Sequence, residues 1–168
     1  MTSEKKVAIS ERERLGNRIM SGSKFTFDTS KFTEEVLQKF DESAVPLAEI
    51  IGNAQVANNQ KRMDEGVGLD DKAMPLYSKS YAEQRQKRGE RVDVRNLVQT
   101  GRMRGAMAVQ KTEKTDTGAV SDVGFTDARA RELAFYNQQR TPFFGISEED
   151  GKKLSELGQI ELNRLIEG

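Results

Sequence analysis

The sequence predicts an α+β fold: a small antiparallel sheet with helices packed on one face, a long loop insertion and an extended N-terminal arm. Three observations carry this. Apolar residues recur at spacings of three and four from about residue 31 to 60. Two runs of alternating apolar residues, about 103–112 and 117–126, flank a glycine-bearing turn. A Ser/Glu/Asp cluster at 147–150 opens a second long stripe of helical period. The chain divides into an arm, 1–23, and a single domain, 24–168, in which 61–104 is a long, partly irregular loop.

Taken in order, residues 1–23 alternate charges of both signs around a thin apolar set of Val7, Ile9, Leu15, Ile19 and Met20. They read either as a frayed terminus or as an amphipathic arm that docks on a neighbouring subunit. Lys24-Phe-Thr-Phe-Asp28 places Phe25 and Phe27 on one face, the pattern of a short strand. Thr29 or Ser30 then caps the long helix of Phe32, Val36, Phe40, Ala44, Leu47, Ile51 and Ala54, which Pro46 is expected to bend or split. The pattern is lost over 61–77, where Gly66, Gly68, Asp70, Asp71 and Pro75 mark a loop. Ser78 caps a short polar helix through Arg88, stopped by Gly89. Met103, Met107 and Val109 are assigned to the first strand, and Ala119, Ser121, Val123 and Phe125 to one face of the second. Lys114-Thr-Asp-Thr-Gly118 forms the hairpin turn between them. Asp127 caps a helix holding Ala130, Leu133 and Ala134, and Pro142 lies just past its end. Phe143-Phe-Gly-Ile146 is a compact apolar knot. After it, Ser147 and Asp150 cap the last helix, whose stripe is Leu154, Leu157, Ile160 or Glu161, and Leu165.

Composition excludes whole classes of chemistry. The 168 residues include no Cys and no His, so disulfides, thiolate sites, serine–histidine catalysis and zinc–histidine sites are impossible. Apolar residues make up 35% and charged ones 32%, with a mean hydropathy of −0.72, which implies a modest core. The charge balance of 27 against 27 argues against a protein whose main task is coating nucleic acid. No apolar run is long enough to cross a bilayer, and the charged start does not resemble an export leader. The expectation is an unexported protein with no membrane partner. Asp64, Glu65, Asp70 and Asp71 are acids without the spacing of a calcium loop, and the glycines lack the lysine and setting of a phosphate loop. No cofactor and no metal are expected, and no catalytic residue is assigned.

One segment stands out by charge. Between Lys79 and Arg104 there are eight positive residues and three negative, a local excess of five. Arg85, Lys87, Arg88, Arg91 and Arg95, with Tyr77 and Tyr81 beside them, form the candidate interface. Basic groups interleaved with aromatics suit a nucleic-acid backbone. A solvated loop, or a basic face that meets an acidic neighbouring subunit, is the alternative.

Four segments occur in one order: Met74-Pro-Leu-Tyr-Ser-Lys-Ser-Tyr81, Leu97-Val-Gln-Thr-Gly-Arg-Met103, Ser121-Asp-Val-Gly-Phe-Thr-Asp127 and Arg140-Thr-Pro-Phe-Phe-Gly-Ile-Ser-Glu-Glu-Asp150. In this the chain resembles, over about residues 24–166, the virion morphogenesis or tail completion proteins of long-tailed phages. It departs from their pattern at Ala106, where Ser is common, and at Thr141, which separates Arg140 from Pro142. The motif residues are structural in character. Gly101 permits a tight approach to the strand. Pro142 ends a helix, Phe143, Phe144 and Gly145 form the knot, and Ser147 with Asp150 caps the C-terminal helix. The resemblance implies a non-enzymatic virion protein of the neck or tail, assembled in the host cytoplasm. It implies a homo-oligomeric, usually hexameric, ring between the head connector or stopper proteins and the tail tube or tail terminator. Genomic DNA would pass through the lumen without sequence-specific binding. The contrasting expectation is a nucleic-acid-binding module built on 79–104.

Overall fold

The long apolar stripe forms the longest helix, and it organises everything else. In the computed structural model, which describes residues 34–98, 101–116 and 118–167, helix α1 runs Glu34–Glu65. It is followed by α2 (Lys79–Lys87), α3 (Arg102–Gly105), strands β1 (Met107–Thr115) and β2 (Gly118–Phe125), and helices α4 (Ala128–Arg140) and α5 (Glu148–Glu167). This is a small α+β fold. The arm 1–23, the strand expected at 24–28 and its helix cap at Thr29 or Ser30 lie outside the described residues. No helix among the described residues is long and apolar enough to cross a membrane.

Pro46 neither splits α1 nor ends it. The missing amide hydrogen bond costs stability in isolation. Here Ala44, Leu47 and Ile51 are buried on both sides of the proline, and Leu47 and Ile51 pack with Leu154 of α5. Tertiary burial outweighs local propensity. The helix also runs five residues beyond its expected end. It stops where Gly66 takes φ +69° and the Schellman bonds form, Gly66 N to Met63 O at 3.2 Å and Val67 N to Arg62 O at 2.9 Å.

The sheet is a two-stranded antiparallel hairpin closed by the pair Thr115↔Gly118. A bulge between Val109 and Lys111 inserts one residue into β1. It keeps Val109 and Thr112 on the same face as Val123 and Ser121. That face meets α1. A Cβ on Gly52 would stand 2.9 Å from the Val109 side chain and 3.0 Å from that of Ser121, so glycine is what lets helix and sheet approach. The Ser121 hydroxyl donates to Ala48 O at 2.7 Å. The distal half of β1 is almost wholly exposed.

Met103, expected on the first strand, belongs instead to α3, a single helical turn. Its spacing of four from Met107 fits a helix turn as well as a strand face. Gly101 therefore works differently from its expected role: at φ +72° it is the residue before α3, not an approach to a strand. The main core gathers Met63, Met74, Met103, Met107, Val123, Phe125, Ala130, Phe143 and Phe144. Each of the four motif segments contributes to it. On α5 the buried positions are Leu154 and Leu162, Leu157 is half-buried and Ile160 is 62% exposed. Of the two alternatives for the stripe, Ile160 and Glu161, the inward position is that of Glu161, whose side chain is 19% exposed.

The caps follow the sequence where they are local. Asp127 accepts from Arg129 N at 3.0 Å. Ser147 and Asp150 make the reciprocal pair, Asp150 N to Ser147 Oγ at 3.1 Å and Ser147 N to Asp150 Oδ2 at 3.4 Å. Ser78 stands before α2 but makes no side-chain cap bond. Gly89, at φ +72°, stops that helix as expected, with Gly89 N to Gln86 O and Glu90 N to Arg85 O both at 3.0 Å.

Candidate functional site

The basic run suggests an exposed face, and the structure corrects this for Arg85. Its residue is 2% exposed. The guanidinium lies over the Tyr77 ring at 4.6 Å and near the Tyr81 ring at 6.0 Å. It donates to Arg91 O at 3.1 Å, Val98 O at 3.1 Å and Asn96 Oδ1 at 3.3 Å, and pairs with Glu90 at 3.1 Å. Arg85 is thus the internal tie of residues 77–98 and offers nothing to a partner. Tyr81 sits one helical turn before it in α2, and the two tyrosine rings meet edge to face at 5.2 Å. Burial pushes the Tyr77 phenol up, with the Arg85 charge opposing. Its hydroxyl donates to Asn96 Oδ1 at 3.3 Å. Asn96 Oδ1 also accepts from Val98 N at 3.2 Å, which supports Leu97 at φ +51°.

The other expected interface residues divide. Arg88 is exposed and pairs with Glu90 at 2.6 Å, and Arg91 pairs with Asp93 at 2.8 Å. Arg95 donates to the Thr141 hydroxyl at 3.4 Å. Lys87 is exposed. Of the eight cations of the run, Arg85, Arg88 and Arg91 pair with acids near in sequence, and Arg102 and Arg104 with the distant Asp127 and Asp64. Replacing Arg85 with Met is expected to lower stability by about 2 kcal/mol, since charged donors to buried acceptors are lost. Hydrogen exchange should show the loss concentrated in 77–98. Lys87→Glu should change stability by less than about 0.5 kcal/mol.

Six arginines nevertheless converge. Arg85, Arg95, Arg102, Arg104, Arg129 and Arg140 line one open cleft of about 710 Å³, together with Tyr77, Tyr81, Leu76, Leu97, Met103 and Leu133. Among the described residues, no carboxylate lines it. Segment 76–98, which includes α2, together with α3 and α4 brings these residues together from three parts of the sequence. Sequence reasoning counts Arg102 and Arg104 in the basic run without naming them in the candidate interface, and it does not connect Arg129 and Arg140 with that run. Their signal is present: Arg102 and Arg104 flank Met103, and Arg129 and Arg140 lie at the two ends of α4. Arg104 grips Asp64 through Nε at 2.9 and 3.0 Å, and Arg102 makes a two-point contact with Asp127.

The Arg102 hydrogen bond is the largest cause that draws the Asp127 carboxyl from 3.8 to about 2, and Arg91 does the same for Asp93. A folded-state value below the unfolded one means that these contacts stabilise fully above pH about 4 and are lost as pH falls toward 2. Side-chain carbon NMR of Asp127 is expected to show that low midpoint, and Arg102→Gln to return it toward 3.8.

A second polar cluster lies inside the fold. Arg62, 5% exposed, pairs with Asp150, also 5% exposed. It donates to Asn59 Oδ1 at 2.7 Å and to Gly145 O at 2.8 Å, while Gly145 N donates to Asn59 Oδ1 at 3.1 Å. Gln55 also donates to Gly145 O. Burial draws the Arg62 pKa below its ordinary value, with the Asp71 charge opposing. Gly145 holds φ +146°, and a Cβ there would stand 3.2 Å from Leu69. The knot at 143–146 is therefore anchored to α1 by its backbone as well as by its rings. Pro142 O accepts from Leu69 N at 2.8 Å.

No family model, no curated protein and no solved structure matches this chain.

Proposed function

We propose that the chain is a structural virion protein of a phage neck or tail, forming a homo-oligomeric ring that joins the head connector to the tail and lets DNA pass. The four ordered motif segments supply the resemblance behind this reading. The observation that carries it furthest is their convergence: Met74, Met103, Phe125 and Phe144, one from each segment, share a single core. Such a motif set specifies a shape and its attachment surfaces. A two-stranded hairpin is marginal alone, and this one lies along α1, with Lys114 pairing with Asp41, and carries β1 residues 113–115 exposed on both faces. An unpaired strand edge of that kind is a template for a neighbouring chain.

The charge distribution agrees with a conduit. A neutral subunit whose cations, among the described residues, are mostly ion-paired would not hold a genome by its phosphates. Mass photometry and negative-stain imaging of the purified chain, alone and with the neck proteins of its own phage, are expected to show closed rings. A chain that stays monomeric and joins no neck or tail component overturns the reading. A salt-steep affinity for DNA would point to the nucleic-acid module instead.

A further inference from the structure

We infer that the arginine cleft of one copy receives the outer face of α5 from the next copy, with Glu156 and Ile160 as the inserted pair. The inference rests on the ring reading, because it needs a second copy, and it goes further by naming both surfaces. The cleft side is cationic with an apolar wall. Four of its six arginines are ion-paired within the chain, with Glu90, Asp127, Asp64 and Glu132. Arg95 and Arg140 have no carboxylate in ion-pair reach among the described residues. Beside them Leu76 is 67% exposed, the most exposed of the large apolar residues described. A surface with unanswered guanidinium groups next to an exposed leucine calls for an occupant that is both acidic and apolar.

The chain itself carries such a surface. On α5, Glu148 and Glu149 pair with Lys152 and Lys153, and Arg164 pairs with Glu161, which leaves Glu156 as the exposed acid without an ion-pair partner among the described residues of the helix. Its inner face is fixed by Leu154 and Leu162, which leaves Glu156, Ile160 and Asn163 outward along one stripe. Ile160, 62% exposed, is the second most exposed large apolar residue described. Glu156 lies one turn before it, so a carboxylate and an apolar group project together. The two most exposed apolar side chains thus sit beside unpaired groups of opposite charge, Leu76 beside Arg95 and Arg140 and Ile160 beside Glu156.

Nucleic acid fits the cleft less well. Base stacking needs a free aromatic face. The Tyr77 ring is covered by Arg85, and the two tyrosines pack against each other. The lining lacks lysine altogether, and arginine forks favour paired carboxylate oxygens as readily as phosphate. The cleft and the α5 stripe are different surfaces, so the contact is head-to-tail. Contacts of that kind close into rings when the rotation permits.

The test uses the full chain and light scattering coupled to gel filtration over a range of concentrations. Glu156→Arg and Arg140→Glu each place like charges across the contact. Each is expected to raise the concentration of half-assembly by about a hundredfold while circular dichroism stays that of the parent. An equimolar mixture of the two variants restores assembly, because it contains one native and one reversed pairing. Assembly of either variant at the parent's concentration overturns the contact and leaves the ring reading standing. Failure of the mixture to recover, with both variants folded, also overturns it. A parent chain that stays monomeric up to its solubility limit overturns the ring reading and the contact together.

Discussion

Replacing Arg62 with Met is expected to lower the unfolding free energy by about 3–5 kcal/mol, the cost of stranding a buried charge. Methionine reproduces the length of the arginine stem and fills most of its volume. It cannot answer Asp150, which is 5% exposed and would keep only the Ser147 amide and the positive end of α5. The substitution also removes donors from Gly145 O and Asn59 Oδ1. Chemical denaturation of the single variant, of Asp150→Asn and of the double variant closes a mutant cycle. The double variant should be less damaged than the sum of the two singles. The deficit of Arg62→Met should narrow in acid, since protonation of Asp150 removes the stranded charge. A loss below about 1 kcal/mol at neutral pH would mean that the pair contributes no such coupling.

That pair also shows where the sequence stops being informative. Ser147 and Asp150 are legible as a cap, because a capping box is a local pattern of four residues. Gly89 and Asp127 are legible for the same reason. That Asp150 is buried against Arg62, far away in the chain, is not. A charge pattern along the chain does not say which acid the fold encloses. A trace of it is nevertheless present. The α1 stripe continues past Ile51 through Gln55, Asn59 and Arg62 at spacings of four, four and three, so polar residues occupy core positions. Arg85 misleads for the opposite reason. It lies in a run of basic residues, and the run suggests a surface. Its helical neighbour Tyr81 and the nearby Tyr77 are the better guide, since a guanidinium over two aromatic rings is stable when buried. Met103 misleads because a spacing of four serves both a helical turn and a strand face, and only Gly101 ahead of it favours the helix. The arginine cleft draws half-legible contributions from distant segments, and only the tertiary fold joins them.

Phe143→Ala is expected to match the Arg62 effect by a different route. Phe143 is 0% exposed and lies 6.4 Å from Phe144, which in turn lies 5.0 Å from Phe125. Removing a buried phenyl ring costs about 3–5 kcal/mol, the range set by how far the site collapses. Four methionines, Met63, Met74, Met103 and Met107, belong to this core, and flexible thioethers fill gaps better than branched side chains do. The loss should therefore fall near about 3 kcal/mol, with a drop in Tm of roughly 6–12 °C. Its signature separates it from Arg85→Met. The core takes residues from α1, α3, both strands, α4 and the 143–144 knot, so exchange protection should fall across all of them together. The Arg85 variant should loosen 77–98 while leaving the hairpin and α5 protected. A Phe143→Ala protein that melts within a degree or two of the parent would mean that the knot does not close this core.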